Sequence, residues 1–145
     1  MVERTQILIL DASVAVKWYV EEELREQALA LRHDYYEEKL LLISQPLLLY
    51  EVANALRYHP TLSSEDVMTA IDSLLAMQFN LITLGKSEAE VAVKIAFDEN
   101  LSMYDATYLA LADITGTQIV TADESFYKKL STERKKLVLL LRNYQ

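Results

Sequence analysis

The sequence predicts an α/β fold with three layers, in which helices cover both faces of a central, mostly parallel sheet of about five strands. Two patterns lead to this prediction. Short, largely apolar runs alternate with longer stretches of helical periodicity, and each run is only four residues long. The runs cover residues 7–10, 40–43, 81–84, 118–121 and 137–140.

The intervening segments carry signals for helices. Apolar residues at positions 24, 28, 31 and 35 share one helical face, and residues 47–56 form a helix that is apolar on most sides. Three further helices each begin at a serine followed three residues later by an acid, which is the spacing of a capping box. They are predicted to begin at Ser63, Ser87 and Ser102 and to end near Met77, Asn100 and Ile114.

Length and composition indicate one globular domain over residues 1–145. A chain of 145 residues buries about two-thirds of its unfolded surface in a single core, with no room for a second domain. It has no cysteine, which excludes disulfides, thiolate nucleophiles and cysteine-bound zinc. Two glycines are too few for a glycine-rich phosphate loop, and His33 and His59 lack the spacing of metal ligands.

We expect a cytoplasmic protein without a membrane span. The residues before the first apolar run include charged side chains and do not resemble a signal peptide. No apolar run approaches the roughly 20 residues that cross a bilayer.

The net charge of the chain argues against a function in nucleic-acid binding. Fourteen Lys and Arg residues against 22 Asp and Glu residues give −8, which disfavours attraction to a polyanion across the whole surface. The objection weakens if several acids cluster and bind cations, because bound ions reverse the local field. The basic residues near the C-terminus are interpreted as a solvated face rather than a phosphate track: Lys128, Lys129, Arg134, Lys135, Lys136 and Arg142.

Two acids lie just past predicted strands, where ligands bind in an open parallel sheet. Asp11 follows the run at 7–10, and Asp123 comes two residues after Thr121. Each acid alone is better explained as a helix N-cap, because Asp is favoured there and a helix is predicted after each.

Glu51 is unusual because it lies in the apolar helix over residues 47–56. Buried carboxylates are paired or bind metal, so the alternatives are an ion pair with Arg32 or Arg57 and a role as a metal ligand. Asn54 lies three residues further along the same helical face, where it is placed to orient Glu51 or to assist at the site.

Asp105 has two compatible interpretations. It stands three residues after Ser102, as the second half of a capping box, although Glu or Gln reaches back better than Asp. The second interpretation is a residue of the acidic site, because the N-terminus of this helix is expected to lie near the strand ends. Together, the four acids Asp11, Glu51, Asp105 and Asp123 predict a site for Mg²⁺ or Mn²⁺ that activates water against a phosphodiester.

Four short motifs run, in order, nearly from end to end of the chain. They are LDASVAVKW (10–18), EVANAL (51–56), YDA with YLALA (104–112), and TAD with Phe126 (121–126). In these motifs the chain resembles the PIN-domain ribonucleases, and within them the VapC-type toxins of prokaryotic toxin–antitoxin pairs.

The resemblance implies an acidic quartet that binds Mg²⁺ or Mn²⁺, an RNA substrate that is single-stranded or structured, a homodimer, and a small antitoxin protein as partner. The implied quartet is Asp11, Glu51, Asp105 and Asp123, with Ser13, Asn54 and Thr121 in supporting or substrate-orienting roles.

Aromatic residues in and beside the first two helices have two interpretations. They form a surface for such partners, because aromatic side chains are enriched at interfaces, or they pack in the core. These residues are Trp18, Tyr19, Tyr35 and Tyr36.

Other functions also place Asp at strand ends. A haloacid-dehalogenase-like phosphatase needs a second Asp two residues after the first, where this chain has Ser13. A receiver domain needs paired acids after its first strand and a lysine at a later strand end, and the sequence shows neither feature. A non-catalytic α/β binding module, whose acids are only helix caps, is the remaining alternative. Metal-dependent cleavage of labelled RNA that a chelator abolishes discriminates among them.

Overall fold

A computed structural model of the protein describes residues 5–145. Residues 1–4, part of the segment expected not to form a signal peptide, lie outside the described residues. Within residues 5–145, no helix combines the length and the apolar character that crossing a membrane requires.

A five-stranded sheet, in which every neighbouring pair of strands is parallel, forms the centre of the molecule. The strands are β1 (Gln6–Leu10), β2 (Leu40–Ser44), β3 (Asn80–Leu81), β4 (Gln118–Thr121) and β5 (Val138–Leu140). Their order across the sheet is β3-β2-β1-β4-β5, so the first strand of the chain lies in the middle. The predicted parallel sheet of five strands is confirmed.

The third strand differs most from its prediction. The apolar run at 81–84 predicted four strand residues, but β3 pairs with β2 over Asn80 and Leu81 only. One further hydrogen bond of 2.7 Å follows, from the N–H of Ile82 to the carbonyl of Ser44. Because Ser44 is the last residue of β2, this edge strand has no neighbour to pair with beyond that point within residues 5–145.

Helices occupy most of the remaining described chain, and the segments predicted to be helical are helical. They are α1 (Ala12–Ala15), α2 (Arg25–Tyr36), α3 (Leu47–Arg57), α4 (Ser64–Ala76), α5 (Lys86–Glu99), α6 (Met103–Thr115), α7 (Glu124–Lys128) and α8 (Thr132–Lys135).

The predicted start of α5 is wrong, whereas its predicted end is confirmed. Ser87 lies inside the helix, and the carboxylate that reaches back belongs to Glu88, which accepts the N–H of Gly85 at 3.0 Å. The acid therefore still stands three residues after the N-cap, but the N-cap residue is Gly85 and not a serine. Glycine is also accepted at this position. At the other end, Asn100 adopts the left-handed conformation, φ 54°, that asparagine tolerates after a helix.

The sheet separates two helical layers. Alternate residues of a strand point to opposite faces, and β1 shows this directly. Leu8 and Leu10 pack in the core with α2, α3 and α4, whereas Ile9 packs in the core with α5 and α6. The predicted three-layer arrangement is therefore confirmed.

The connections place a crevice at the end of the central strands. After β1 the chain moves outward through β2 and β3, and then returns to the other side of β1 to form β4. The strand order therefore reverses between β1 and β4, and open α/β sheets bind ligands at the carboxyl ends of the strands at such a point. Asp11 and Asp123 follow these two strands.

Most of the aromatic residues expected near the first two helices lie in the interior. Trp18 is buried and donates its indole N–H to the carbonyl of Ala28 at 2.7 Å. The Tyr35 hydroxyl donates to the carbonyl of Met77 at 2.6 Å. Tyr19 and Tyr35 are half-buried against the same core, and Tyr36 is largely exposed, so packing in or against the core describes most of the set.

Candidate active site

A small cavity opens where β1 and β4 end, and it is lined by all four acids expected at this edge of the sheet. Its volume is about 160 Å³, which corresponds to about five water molecules at their volume in the liquid. Asp11 and Asp123 reach it from the strand ends, Glu51 from α3 and Asp105 from α6. The sheet and both helical layers thus contribute carboxylates to one space.

Asp11 is held by two hydroxyl groups and not used as a cap. It occupies the N-cap position of α1, but its side chain makes no capping hydrogen bond. Instead, its Oδ2 accepts hydrogen bonds from Ser13 Oγ at 2.5 Å and from Thr121 Oγ1 at 2.7 Å. Burial raises the pKa of Asp11, and the two hydroxyls oppose that shift because they bond to the ionised form.

The two hydroxyls also fasten the segment that follows β4. Ser13 Oγ accepts the N–H of Ala122 at 2.9 Å, and Thr121 Oγ1 accepts the N–H of Asp123 at 3.1 Å. The position of Asp123 is thus tied through hydrogen bonds to the carboxylate of Asp11.

Glu51 does not form the ion pair that was one of its two interpretations. The guanidinium of Arg32 lies over the ring of Trp18, and that of Arg57 lies over the ring of Tyr58. Within the described chain neither arginine forms a salt bridge to Glu51. Glu51 is also only half-buried, because one side of α3 faces solvent.

The partner of Glu51 is a tyrosine that sequence reasoning did not single out. The buried Tyr108 donates its hydroxyl to Glu51 Oε1 at 2.7 Å. Burial raises the pKa of Glu51, and the charges of Asp11 and Asp105 raise it further, whereas the Tyr108 hydroxyl opposes the shift. The sequence does contain a signal for Tyr108: it stands three residues after Asp105, and this spacing places both residues on one face of α6.

Asp105 forms only half of a capping box. Its N–H donates to Ser102 Oγ at 3.1 Å, but in the described chain its carboxylate makes no return bond to the N–H of Ser102. Burial raises the pKa of Asp105, and the charges of Asp11 and Asp123 add to the shift, whereas nearby Lys129 opposes it. The Asp105 carboxylate therefore lines the cavity and does not complete the capping box.

Asp123 caps a helix and lines the cavity at the same time. Its Oδ1 accepts the N–H of Phe126 at 3.0 Å and the hydroxyl of Ser125 at 2.7 Å, which makes it the N-cap of α7. The cap interpretation is confirmed for Asp123 alone among the four acids. It leaves the second carboxylate oxygen, Oδ2, free of the cap.

The cavity concentrates negative charge. Among its described lining residues four are acidic and none is basic. Within residues 5–145, no group of three or more Asp, Glu, His or Cys side chains is arranged to hold a metal ion as it stands. The four carboxylates thus surround the space and do not converge on one point.

Asn54 lies outside this cavity. It is exposed on α3 and lines a neighbouring groove together with Glu51 and Asp105. It therefore reaches the edge of the acidic site and does not support the carboxylates from behind.

Most of the basic residues near the C-terminus have local partners, which agrees with a solvated face. Arg134 pairs with Asp98, Lys136 with Glu133 and Arg142 with Glu124, and Lys135 lies over the ring of Tyr127. Lys129 is close enough to Asp105 to influence its pKa.

A second cavity, of about 650 Å³, lies at the opposite edge of the sheet. It is lined by the amino ends of strands, including Gln6 and Gln118, and by the loop at Gly116. Ligands of open parallel sheets bind at the carboxyl ends, so the smaller acidic cavity is the candidate site.

A family model described as the PIN domain matches residues 8–129, a span that includes all four acids of the cavity. The chain belongs to the PIN-domain family. The resemblance seen in the sequence motifs is thereby confirmed.

One relative of this PIN-domain protein is Ribonuclease VapC3 of Pyrobaculum aerophilum. The two are 32% identical over 128 residues, which cover 84% of this chain and 93% of that protein. This relative confirms the expected likeness to VapC-type proteins.

Two solved structures share the fold. A crystal structure of a protein from Pyrobaculum aerophilum has a TM-score of 0.64 and 22% identity, over 95% of this chain and 90% of that chain. A toxin–antitoxin complex from Klebsiella pneumoniae has a TM-score of 0.66 and 15% identity, over 92% and 97%. At these identities the likeness shows the three-layer fold.

We predict that Asp105→Asn leaves the stability of the metal-free protein at about pH 7 unchanged or higher. The folded pKa of Asp105 is raised, so its ionised form is disfavoured in the fold. This penalty begins as pH rises above the unfolded pKa and is complete above the folded pKa. Asparagine removes the charge and hence the penalty. It should also remove much of the stabilisation by Mn²⁺, about 2.7 kcal/mol at a 100-fold excess over Kd.

Asp66→Asn is the matched control, because Asp66 also stands three residues after a serine N-cap but completes its capping box with Ser63. Hydrogen bonds from the Ser63 backbone and hydroxyl lower the pKa of Asp66, so its charge stabilises the fold above the unfolded pKa. This variant should melt earlier but keep the full Mn²⁺ shift. In thermal melts with Mn²⁺ and with chelator, equal metal shifts for wild type and Asp105→Asn contradict a ligand role for Asp105.

Proposed function

We propose that this PIN-domain protein is an endoribonuclease that hydrolyses RNA phosphodiester bonds with Mg²⁺ or Mn²⁺, as the toxin of a toxin–antitoxin pair. The observation that carries the proposal is the set of four carboxylates around one cavity at the carboxyl ends of β1 and β4. Supporting the reaction class, the relative from Pyrobaculum aerophilum is named a ribonuclease.

The donor set suits a hydrated Mg²⁺ or Mn²⁺ ion. Such hard ions prefer carboxylate and water oxygens, and the titratable groups at the cavity are carboxylates and one tyrosine hydroxyl. Mg²⁺ is usually bound through one or two carboxylates and retains several waters, for which about 160 Å³ leaves space. Asp11, Glu51, Asp105 and Asp123 are the residues that would hold it.

When bound, a divalent ion supplies an activated water at neutral pH and stabilises the charge that develops on the phosphoryl group. The protein's own contribution is to orient its carboxylates. Ser13 and Thr121 fix Asp11 through Oδ2, and Tyr108 fixes Glu51 through Oε1. In Asp11 and in Glu51, one carboxylate oxygen is thereby held by hydroxyl donors. This sets the direction of the second oxygen of the same carboxylate.

The competing functions fit the geometry less well. A binding module whose acids are only caps requires capping bonds from the acids, but the carboxylates of Asp11 and Asp105 make none in the described chain. In an aspartyl-phosphate enzyme the position of Ser13 would hold a second acid. Here the Ser13 hydroxyl is committed to Asp11 and to the N–H of Ala122.

We further propose that residues 1–145 act as one nuclease domain in the cytoplasm, as a homodimer bound by a small antitoxin. The fold neighbour from Klebsiella pneumoniae was solved as a toxin–antitoxin complex, which supports a protein partner. Exposed apolar residues support a further contact surface, above all Phe97, 85% exposed, with Val93 one turn earlier on α5.

We predict metal-dependent cleavage of RNA by the purified protein, with Asp11→Asn and Asp105→Asn each reducing the rate by at least about a hundredfold. Each substitution removes a carboxylate charge from the cavity without changing the side-chain size. Labelled RNA incubated with Mn²⁺, with and without chelator, gives the rates. The control is Asp72→Asn on the solvent side of α4, which should cleave like wild type. Wild-type rates in both site variants would rule the proposal out.

We also predict a homodimer in solution. Light scattering at micromolar concentration should give about twice the chain mass of 16.6 kDa, because apolar side chains of α5 are exposed to solvent in the described part of one chain. The mass of a single chain under these conditions would refute the dimer.

A further inference from the structure

A wider groove opens beside the acidic cavity and shares two of its carboxylates, Glu51 and Asp105. Its volume is about 620 Å³, and it is more open to solvent than the acidic cavity. The groove runs between the first half of α3 and the start of α6. A molecule held in it would therefore extend directly from the candidate active site.

Two tyrosines flank this groove, each placed directly before one of the shared carboxylates in sequence. Tyr50 is 73% exposed and Tyr104 is 64% exposed. In the described part of the chain neither ring pairs with another aromatic ring. Both rings therefore remain available to a ligand in the groove.

A buried polar contact fixes the two walls of the groove relative to each other. Gln45, just before α3, is buried and donates its side-chain amide to Thr107 Oγ1 at 2.8 Å. The Thr107 hydroxyl donates in turn to the carbonyl of Tyr104 at 2.6 Å. The start of α3 is thus fastened to the first turn of α6, and both tyrosines stand on helices that hold their positions.

The chemistry of the groove favours an unpaired nucleotide base. The protein carries −8 and most basic residues near its C-terminus have local partners, so attraction to phosphates supplies little affinity. Stacking on an aromatic ring needs no positive charge, and every base offers a flat face. Asn54 at the groove carries both a donor and an acceptor for a base edge.

We propose that Tyr50 and Tyr104 form a stacking subsite for an unpaired base next to the scissile phosphate, and that Asn54 contacts the edge of this base. A base in a duplex has its faces covered, so the subsite selects RNA that is unpaired at the cleavage position. This inference rests on the proposed ribonuclease function and specifies its substrate class.

The test is single-turnover cleavage of a single-stranded oligoribonucleotide with Mn²⁺, using the whole chain in excess over RNA. Cleavage by wild type tests the proposed function itself. For Tyr50→Ala and Tyr104→Ala, we expect the protein concentration at half-saturation to rise about tenfold, because a stacked base is lost. The maximal rate should stay within about twofold, because the rings bind substrate without touching the reacting atoms.

Two further variants separate stacking from general effects. Tyr104→Trp should bind RNA like wild type, whereas Tyr104→Leu should bind as weakly as Tyr104→Ala. Stacking needs a flat aromatic face and not only apolar area. Tyr58→Ala is the matched control, since Tyr58 is 72% exposed at the end of α3 but lies outside the groove. It should bind RNA like wild type.

Fluorescence of 2-aminopurine in the oligoribonucleotide gives a readout that needs no cleavage. We expect wild type to quench it by stacking and both alanine variants to quench it less. Unchanged half-saturation and unchanged quenching in both alanine variants overturn the inference, even where wild type cleaves RNA. If these variants instead lose dimer mass in light scattering, the tyrosines belong to a subunit contact and the inference is equally overturned.

Discussion

The hydrogen bonds on Asp11 make the central junction of the sheet and the acidic site one structure. An enclosed carboxylate is costly unless its oxygens are bonded, and here the hydroxyls of Ser13 and Thr121 bond to it. Each hydroxyl also accepts a backbone N–H from the segment after β4, at Ala122 and Asp123. Bringing β4 beside β1 therefore orients Asp11 and positions Asp123 in the same step.

The other carboxylates are held at this junction against electrostatic repulsion. Burial and neighbouring charges raise the pKa of Glu51 and of Asp105, so the metal-free fold carries a cost at neutral pH that a bound cation would relieve. The Tyr108 hydroxyl offsets part of this cost at Glu51. A cluster of like charges that lowers the stability of the fold is a common compromise between stability and function.

Sequence reasoning identified the features that follow from local rules. It missed the features that depend on where a side chain points in the folded protein. Acids after strands could be identified because parallel strands end at one edge. Ser63 with Asp66 and Ser102 with Asp105 have identical spacing, yet only the first pair completes a capping box, whereas the second carboxylate lines the acidic cavity. Tyr108 stood in the YLALA motif but was given no role of its own, because a tyrosine in an apolar helix has the pattern of a core residue.

The central claim is that the carboxylates at the junction of β1 and β4 hold a divalent cation. The most direct measurement is a crystal structure of the protein grown with Mn²⁺, with diffraction recorded where manganese scatters anomalously. We expect an anomalous peak inside the acidic cavity, coordinated by Asp11 and by at least one of Glu51, Asp105 and Asp123. No peak in the cavity, at a Mn²⁺ concentration that supports full RNA cleavage by the same preparation, would contradict the claim.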